Sequence, residues 1–284
     1  MIDISLWERD TKSQASGTRT KYWLLEPGTD SEHAAKYLFK IPVEGTGGHW
    51  AEYIASKVGS ELGFNTVEVE LAINNGVVGT ISKNFRATTE EFYEGGDLFL
   101  ARFEDFNRHS LRYYELPHII DILSAYSLEK NFIAFPFFDA LIANNDRHCD
   151  NWGVLSGPRG IQLSPIYDNG SSLGFNEVNL KKRNMLTDMR MLEGFCNRGK
   201  SSIGLPGRKK PRHLELLSFL YTHFPHEVSI IMTKFDKLTS ELLLDIVEDI
   251  PSEIMSDLSK DWVVHLLIYR KKWIKSWYER SVRS

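Results

Sequence analysis

Asn144-Asn145-Asp146-Arg147-His148-Cys149-Asp150-Asn151 is followed, past the apolar Trp152-Gly153-Val154-Leu155, by Leu163-Ser164-Pro165-Ile166-Tyr167-Asp168-Asn169-Gly170. The pattern is an Asp, an Asn five residues on and a second Asp seventeen residues further, separated by a short strand and a turn. Phosphoryl transfer from ATP needs a carboxylate to orient the attacking hydroxyl and hard oxygen ligands to hold magnesium on the triphosphate. Asp146 fits the first role, and Asn151 with Asp168 the second. For any one of these residues, a polar loop that turns the chain and caps a helix is an adequate explanation. The joint spacing favours phosphotransfer. A zinc site built on His148 and Cys149 is disfavoured, because adjacent residues rarely converge on one metal and the usual partners are missing; His148 is expected to fasten the loop by hydrogen bonds.

Outward from this segment the two sides of the chain differ in texture. Upstream, Tyr22 to Leu25, Tyr37 to Ile41, Val67 to Ala72 and Val77 to Phe85 read as strands, with a hairpin turn at Asn74-Asn75-Gly76. One helix interrupts them, its stripe of Trp50, Tyr53, Ile54, Val58 and Leu62 ending at Gly63. From about Phe92 the period becomes helical, with stripes over Leu116 to Leu128, Asn131 to Ala143, Leu214 to Phe224, Glu241 to Ile250 and Asp261 to Tyr278. The expected class is α+β, two-lobed and protein-kinase-like: a small sheet-rich N-lobe over 1–90 and a helical C-lobe over 91–284, with the catalytic loops facing a shared cleft.

The 284 residues, 42 % hydrophobic and 12 % aromatic, can fill such a core and exclude a disordered chain. A net charge of −4 argues against a surface built throughout for nucleic acid, and no direct DNA binding is expected. Two cysteines are too few for a disulfide framework, and no apolar leader or bilayer span is evident, so the expected home is the cytoplasm.

The two motifs resemble those of the HipA-like serine/threonine kinases, whose signature is an N-x-D-x-H-x-x-N loop followed by P-x-Y-D. Here these are Asn144 to Asn151 and Pro165 to Asp168. The resemblance implies a Ser/Thr protein kinase using ATP and Mg2+, with Asp146 catalytic, Asn151 and Asp168 on the metal, and His148 to Asn151 together with Tyr167 lining the nucleotide. A lysine at a strand end is ordinarily just solvated. The family places its ATP lysine in a similar strand, which marks Lys40 for the phosphates and Glu52, on the following helix, as its ion-pair partner.

Ahead of that strand, Ser16, Gly17, Thr18 and Arg19 lie in a hydroxyl-rich turn that could offer N–H groups and charge to phosphate oxygens, or could equally be a surface hairpin. Gly17 and Lys21 are spaced as in the family's phosphate loop, where an autophosphorylated serine can lock the loop; Ser13 and Ser16 are the candidates here, at offsets that do not clearly match. By analogy with a kinase hinge, adenine would bond near Lys83, Asn84 and Phe85. The chain starts close to the nucleotide loop, so the N-terminal subdomain of longer members is expected to be missing, and a small accessory protein or antitoxin could supply it.

Residues 181–213 carry ten basic and two acidic residues, a net +8 that leaves −12 for the rest of the chain. With four glycines the stretch reads as a mobile loop beside the cleft, meeting an acidic or tRNA-bound protein substrate; a merely solvated loop is the alternative. Family members include toxins of toxin–antitoxin systems, some phosphorylating an aminoacyl-tRNA synthetase. Two other readings stay open, a small-molecule phosphotransferase of the aminoglycoside type and a pseudokinase binding module.

Overall fold

The computed structural model describes residues 1–13, 20–28 and 35–283. Ser16, Gly17, Thr18 and Arg19, expected to form a phosphate loop, lie outside them. Strands β1 (Ile2–Asp3), β2 (Glu8–Arg9), β3 (Lys21–Leu25) and β4 (Lys36–Lys40) precede helix α1 (Gly48–Glu61), which is followed by β5 (Val69–Asn74) and β6 (Val77–Lys83). They form one six-stranded sheet in the order β1-β5-β6-β4-β3-β2, antiparallel except for the β1–β5 pair. Asn75 and Gly76 both take positive φ, 47° and 81°, as a two-residue hairpin loop demands, and this fixes the β5–β6 register. Gly63, at φ +70°, ends α1 in the left-handed conformation that glycine adopts without penalty.

Next come β7 (Glu91–Glu94), α2 (Gly95–Arg102), α3 (Leu116–Ser124), α4 (Glu129–Phe132) and α5 (Ala134–Ile142). Then follow the hairpin β8 (Gly153–Gly157) and β9 (Gly160–Leu163), and the helices α6 (Asn179–Thr187), α7 (Met189–Arg198), α8 (His213–His223), α9 (Pro225–Lys234), α10 (Ser240–Glu248) and α11 (Asp257–Arg283). β7, β8 and β9 make a second, three-stranded sheet. The continuous helix expected over Asn131 to Ala143 is broken at Ile133. Pro136 explains the break: it has no N–H for the carbonyl of Phe132 and its ring crowds that position.

The first half of the basic stretch is not the loop its composition suggested. Two helices, α6 and α7, occupy it up to Arg198, and Lys182 is buried with Nζ donating to Ser259 Oγ at 3.0 Å and lying 5.4 Å from the Trp50 ring centroid. Alternation of charge with Met185, Leu192 and Cys196 at helical spacing gives the pair an apolar face for the core. The aromatic, basic end of α11 packs into the core, with Ile274 and Trp277 buried.

Two cores result. A small one under the sheet joins Ile4, Leu24, Phe39, Ala72 and Ile81. The large one runs through the helices and takes in most of α1, including Trp50, Tyr53, Ile54 and Val58. At roughly 1.5–3 kcal/mol per fully buried large apolar side chain, that face anchors α1 to the helical lobe. Backbone bonds between Ile166 and Asn65 and Val67 add to the attachment. Lys40 therefore belongs to the sheet with the small core, whereas Glu52 belongs to the body that carries the 144–151 and 165–170 loops.

Candidate active site

Helix α5 ends at Ala143 in a left-handed turn, φ +56°, which redirects the chain into the 144–151 loop. Asp139, one turn back, receives Asn144 Nδ2 at 2.9 Å and the guanidinium of Arg147, Nε to Oδ2 at 3.0 Å and Nη2 to Oδ1 at 2.7 Å. Asn144 Oδ1 in turn accepts the N–H of Asp146 at 3.0 Å. Asp146 is thus held by backbone, leaving its half-buried carboxylate at the mouth of the loop, where Ser171 Oγ approaches Oδ2 at 3.4 Å. Asn151 Nδ2 donates to Asp146 O at 2.6 Å. With the amide nitrogen committed, Oδ1 is the atom Asn151 has left for a ligand.

Arg147 is fully buried and joins the two motif loops. Besides Asp139, it donates to Asn151 O and Tyr167 O, both at 2.7 Å from Nη1, and to Asn169 Oδ1 at 2.7 Å from Nη2. Burial works against its charge, but the Asp139 carboxylate outweighs that cost and raises its pKa further. The residue between two of these anchors is Asp168, at φ +56°. A non-glycine residue there costs about 1–2 kcal/mol, which the flanking bonds from Arg147 offset.

From that position Asp168 Oδ1 meets Lys40 Nζ at 3.1 Å, and the same ammonium lies 2.6 Å from Glu52 Oε1. Burial alone would lower the Lys40 pKa, yet Asp168 and then Glu52 more than reverse this and raise it above its ordinary value. Strand alternation puts Lys40 on the face opposite Phe39, where it pairs with Thr80 of β6 and lies buried. The structure therefore brings Lys40, Glu52 and Asp168 into one contact, and Asp146 with Asn151 into another. Arg147 joins the second to the backbone around Asp168.

The remaining expected residues fall at different distances from this centre. Tyr167 Oη donates to Asp150 O at 2.7 Å, and burial pushes its pKa well up, so it stays a neutral phenol. Its ring stacks on Phe85 with centroids 5.5 Å apart, and Phe92 closes the cluster edge-on to both. Phe85 thus offers an apolar wall, while the Asn84 N–H donates to Lys36 O at 2.8 Å and Lys83 is exposed. His148 is half-buried, and its Nδ1 receives the Asp150 N–H at 3.2 Å, the loop-fastening role foreseen for it. Ser13 sits at the outer side of the sheet, its Oγ accepting from Lys36 Nζ at 2.9 Å, beside the Lys36–Asp10 pair.

One atom each of His148, Cys149 and Asp150 lies within 4.8 Å of the others. Asp150 is committed to Arg108, which also pairs with Glu94 and Asp97, and burial pushes the Cys149 thiol up, away from the thiolate a metal needs. By contrast, Asp168 and Asn151 present hard oxygens, as magnesium requires, and Lys40 supplies a buried cation for phosphate. The donor set fits Mg-ATP.

Sequence reasoning passed over Arg147, Asp139, Asn169, Phe92 and Arg108. Their signal was weak: an Arg inside a polar loop gives no hint that its partners lie on a helix and on a second loop.

Fold and site together define a two-lobed, protein-kinase-like α+β protein. The HipA-like C-terminal domain model matches residues 13–205, and the chain belongs to that family. It is 24 % identical over 238 residues, 80 % of this chain and 70 % of the relative, to the serine/threonine-protein kinase CtkA of Helicobacter pylori strain J99. The crystal structure of the H. pylori proinflammatory kinase CtkA superposes with a TM-score of 0.83 at 20 % identity, covering 99 % of this chain and 98 % of that one. HipA of Shewanella oneidensis MR-1, solved with HipB and operator DNA, gives a TM-score of 0.59 at 12 % identity, over 93 % of this chain and 66 % of HipA. Among the described residues no helix is long and apolar enough to cross a membrane.

Proposed function

We propose that the chain is a serine/threonine protein kinase that uses ATP and Mg2+. The observation that carries this reading is the Lys40 ammonium held between Glu52 and Asp168 beside the Asp146–Asn151 loop. Bound Mg-ATP would supply the transferable phosphoryl group and the divalent charge that offsets its oxygens. Lys40 would hold phosphate oxygens, Asp168 and Asn151 would hold the metal, and Asp146 would orient the substrate hydroxyl and take its proton. Phe85 and Tyr167 would form the apolar wall for the base.

The test is transfer from labelled ATP, with Mg2+, to the chain itself and to proteins of a cell extract. Loss of transfer in both Asp146→Ala and Asp168→Ala is expected. Unchanged transfer by Asp146→Ala would remove its assignment as base, and nucleotide binding without turnover would make the chain a binding module. The toxin role is supported only by likeness to HipA and the family, and its test is growth arrest on expression that Asp146→Ala abolishes. Autophosphorylation at Ser13 or Ser16 is read in the same labelling experiment by mapping the modified residue.

A further inference from the structure

Between α7 and α8 the chain forms a hairpin over residues 199–212. Lys200 pairs with Arg212, the Ser201 N–H donates to Pro211 O at 2.9 Å, and Leu205 pairs with Arg208 across Pro206-Gly207. Gly207, at φ +73°, makes the reversal. The base of the hairpin is fastened to the catalytic loop: Ser202 Oγ donates to Asn145 O at 2.8 Å, and His213 Nε2 lies 3.1 Å from Asn145 Oδ1. Its other side is held by the Leu116 N–H to Gly204 O and the Gly204 N–H to Tyr114 O, both at 2.9 Å. Ser201, Ile203, Gly204 and Pro211 are buried, while 206–210 stand in solvent. An exposed tip is thus carried on a fixed base that touches the residue next to Asp146.

The charge of this element is one-sided. Lys200, Arg208, Lys209, Lys210 and Arg212 lie in it and no acidic residue does. Glu215 pairs with Arg208 and accepts the Arg212 N–H. Lys209 and Lys210 make no ion pair among the described residues. On a chain of net −4, such a patch concentrates positive potential at one edge of the site.

We propose that this hairpin docks an acidic segment of the protein substrate, flanking the serine or threonine presented to Asp146. The inference rests on the protein-kinase reading above and adds the substrate class. A peptide is favoured over single-stranded nucleic acid because the hairpin contains no aromatic residue on which bases could stack. The acidic remainder of the chain would also repel a long phosphate backbone, whereas a short acidic segment meets the hairpin alone.

The experiment compares three serine peptides differing only in flanks of glutamate, alanine or lysine, with the full chain and its Lys209→Glu/Lys210→Glu variant. Transfer is followed by KM and kcat, and binding by fluorescence anisotropy with and without ATP. The glutamate-flanked peptide is expected to have the lowest KM and Kd. Reversing both lysines should raise these values roughly tenfold and shift preference toward lysine flanks, with kcat and melting temperature little changed. Added salt should weaken the preference. Equal KM and Kd for the three peptides, or an unaltered order in the variant, would overturn the proposal. So would binding of an oligouridylate probe that the variant loses while the peptides show no preference. Selective anisotropy binding of the glutamate peptide without turnover would keep the docking surface and reject the kinase reading instead.

Discussion

Arg147 clasps Asp139 through two parallel hydrogen bonds, Nε to Oδ2 at 3.0 Å and Nη2 to Oδ1 at 2.7 Å, with both side chains sealed from water. The same guanidinium holds the backbone on either side of the site. Removing one partner leaves a buried charge uncompensated, so Asp139→Ala or Arg147→Met should each cost about 3–5 kcal/mol of stability in urea denaturation. The double variant Asp139→Leu/Arg147→Met is expected to regain much of that stability but not nucleotide binding, because Asp168 would lose its flanking anchors. Full nucleotide affinity in a folded double variant would show that Arg147 has no positioning role.

Lys40 is the contact from the sheet to the body that carries the loops. Lys40→Ala should weaken ATP binding about 10- to 100-fold, the range for one charge-assisted hydrogen bond to phosphate. Glu52→Gln keeps the shape and should cost less, about tenfold, when titrated calorimetrically. The Lys40 pKa is raised on folding, so its contribution to stability is complete below its unfolded value near 10.5 and is lost as pH rises through the higher folded value. Between pH 6 and 9 this pair should therefore leave the melting temperature flat.

Gly79 in β6 tests how closely β4 and β6 approach. A Cβ there would lie 2.3 Å from Lys40 O and 2.8 Å from Phe39 Cζ, and backbone cannot yield as a side-chain end can. Gly79→Ala should cost about 1–3 kcal/mol in thermal melting and displace β4 from β6. A melting temperature at or above the parent value would refute this.

His213 is buried at the base of the basic hairpin, and its pKa is held well below 6.5, chiefly by burial and then by the Arg270 charge. Its depressed folded value means the unfolded state takes up the proton first as pH falls. Stability is thus complete above about 6.5 and declines as the medium is acidified toward the folded value. Replacing it, as in His213→Gln, should lessen the loss of stability that the parent shows as pH falls below about 6.5, read by thermal melting across that range.

Local sequence was enough for whatever depends on neighbours along the chain. Asn75-Gly76 sets a hairpin because both residues tolerate positive φ, Gly63 ends α1, and the alternation in Tyr37 to Lys40 assigns faces to the strand. The spacing of Asp146, Asn151 and Asp168 is legible for the same reason: a short loop and a hairpin limit how far those groups can separate. In the first half of the basic stretch, composition reports charge but not the helical period of Met185, Leu192 and Cys196 that carries it into the core. Nothing local shows that the Asn84 N–H goes to Lys36 O.

The sequence by itself determined the residue types of the site and the order of sheet before helices. Only the tertiary structure decided that α1 packs with the helical body, that Arg147 ties Asp139 to both loops, and that the Lys40 ammonium meets Asp168 across 128 positions of chain. Backbone preferences act over a few residues, whereas these contacts exist only once burial in a common core has met the entropy of bringing distant segments together.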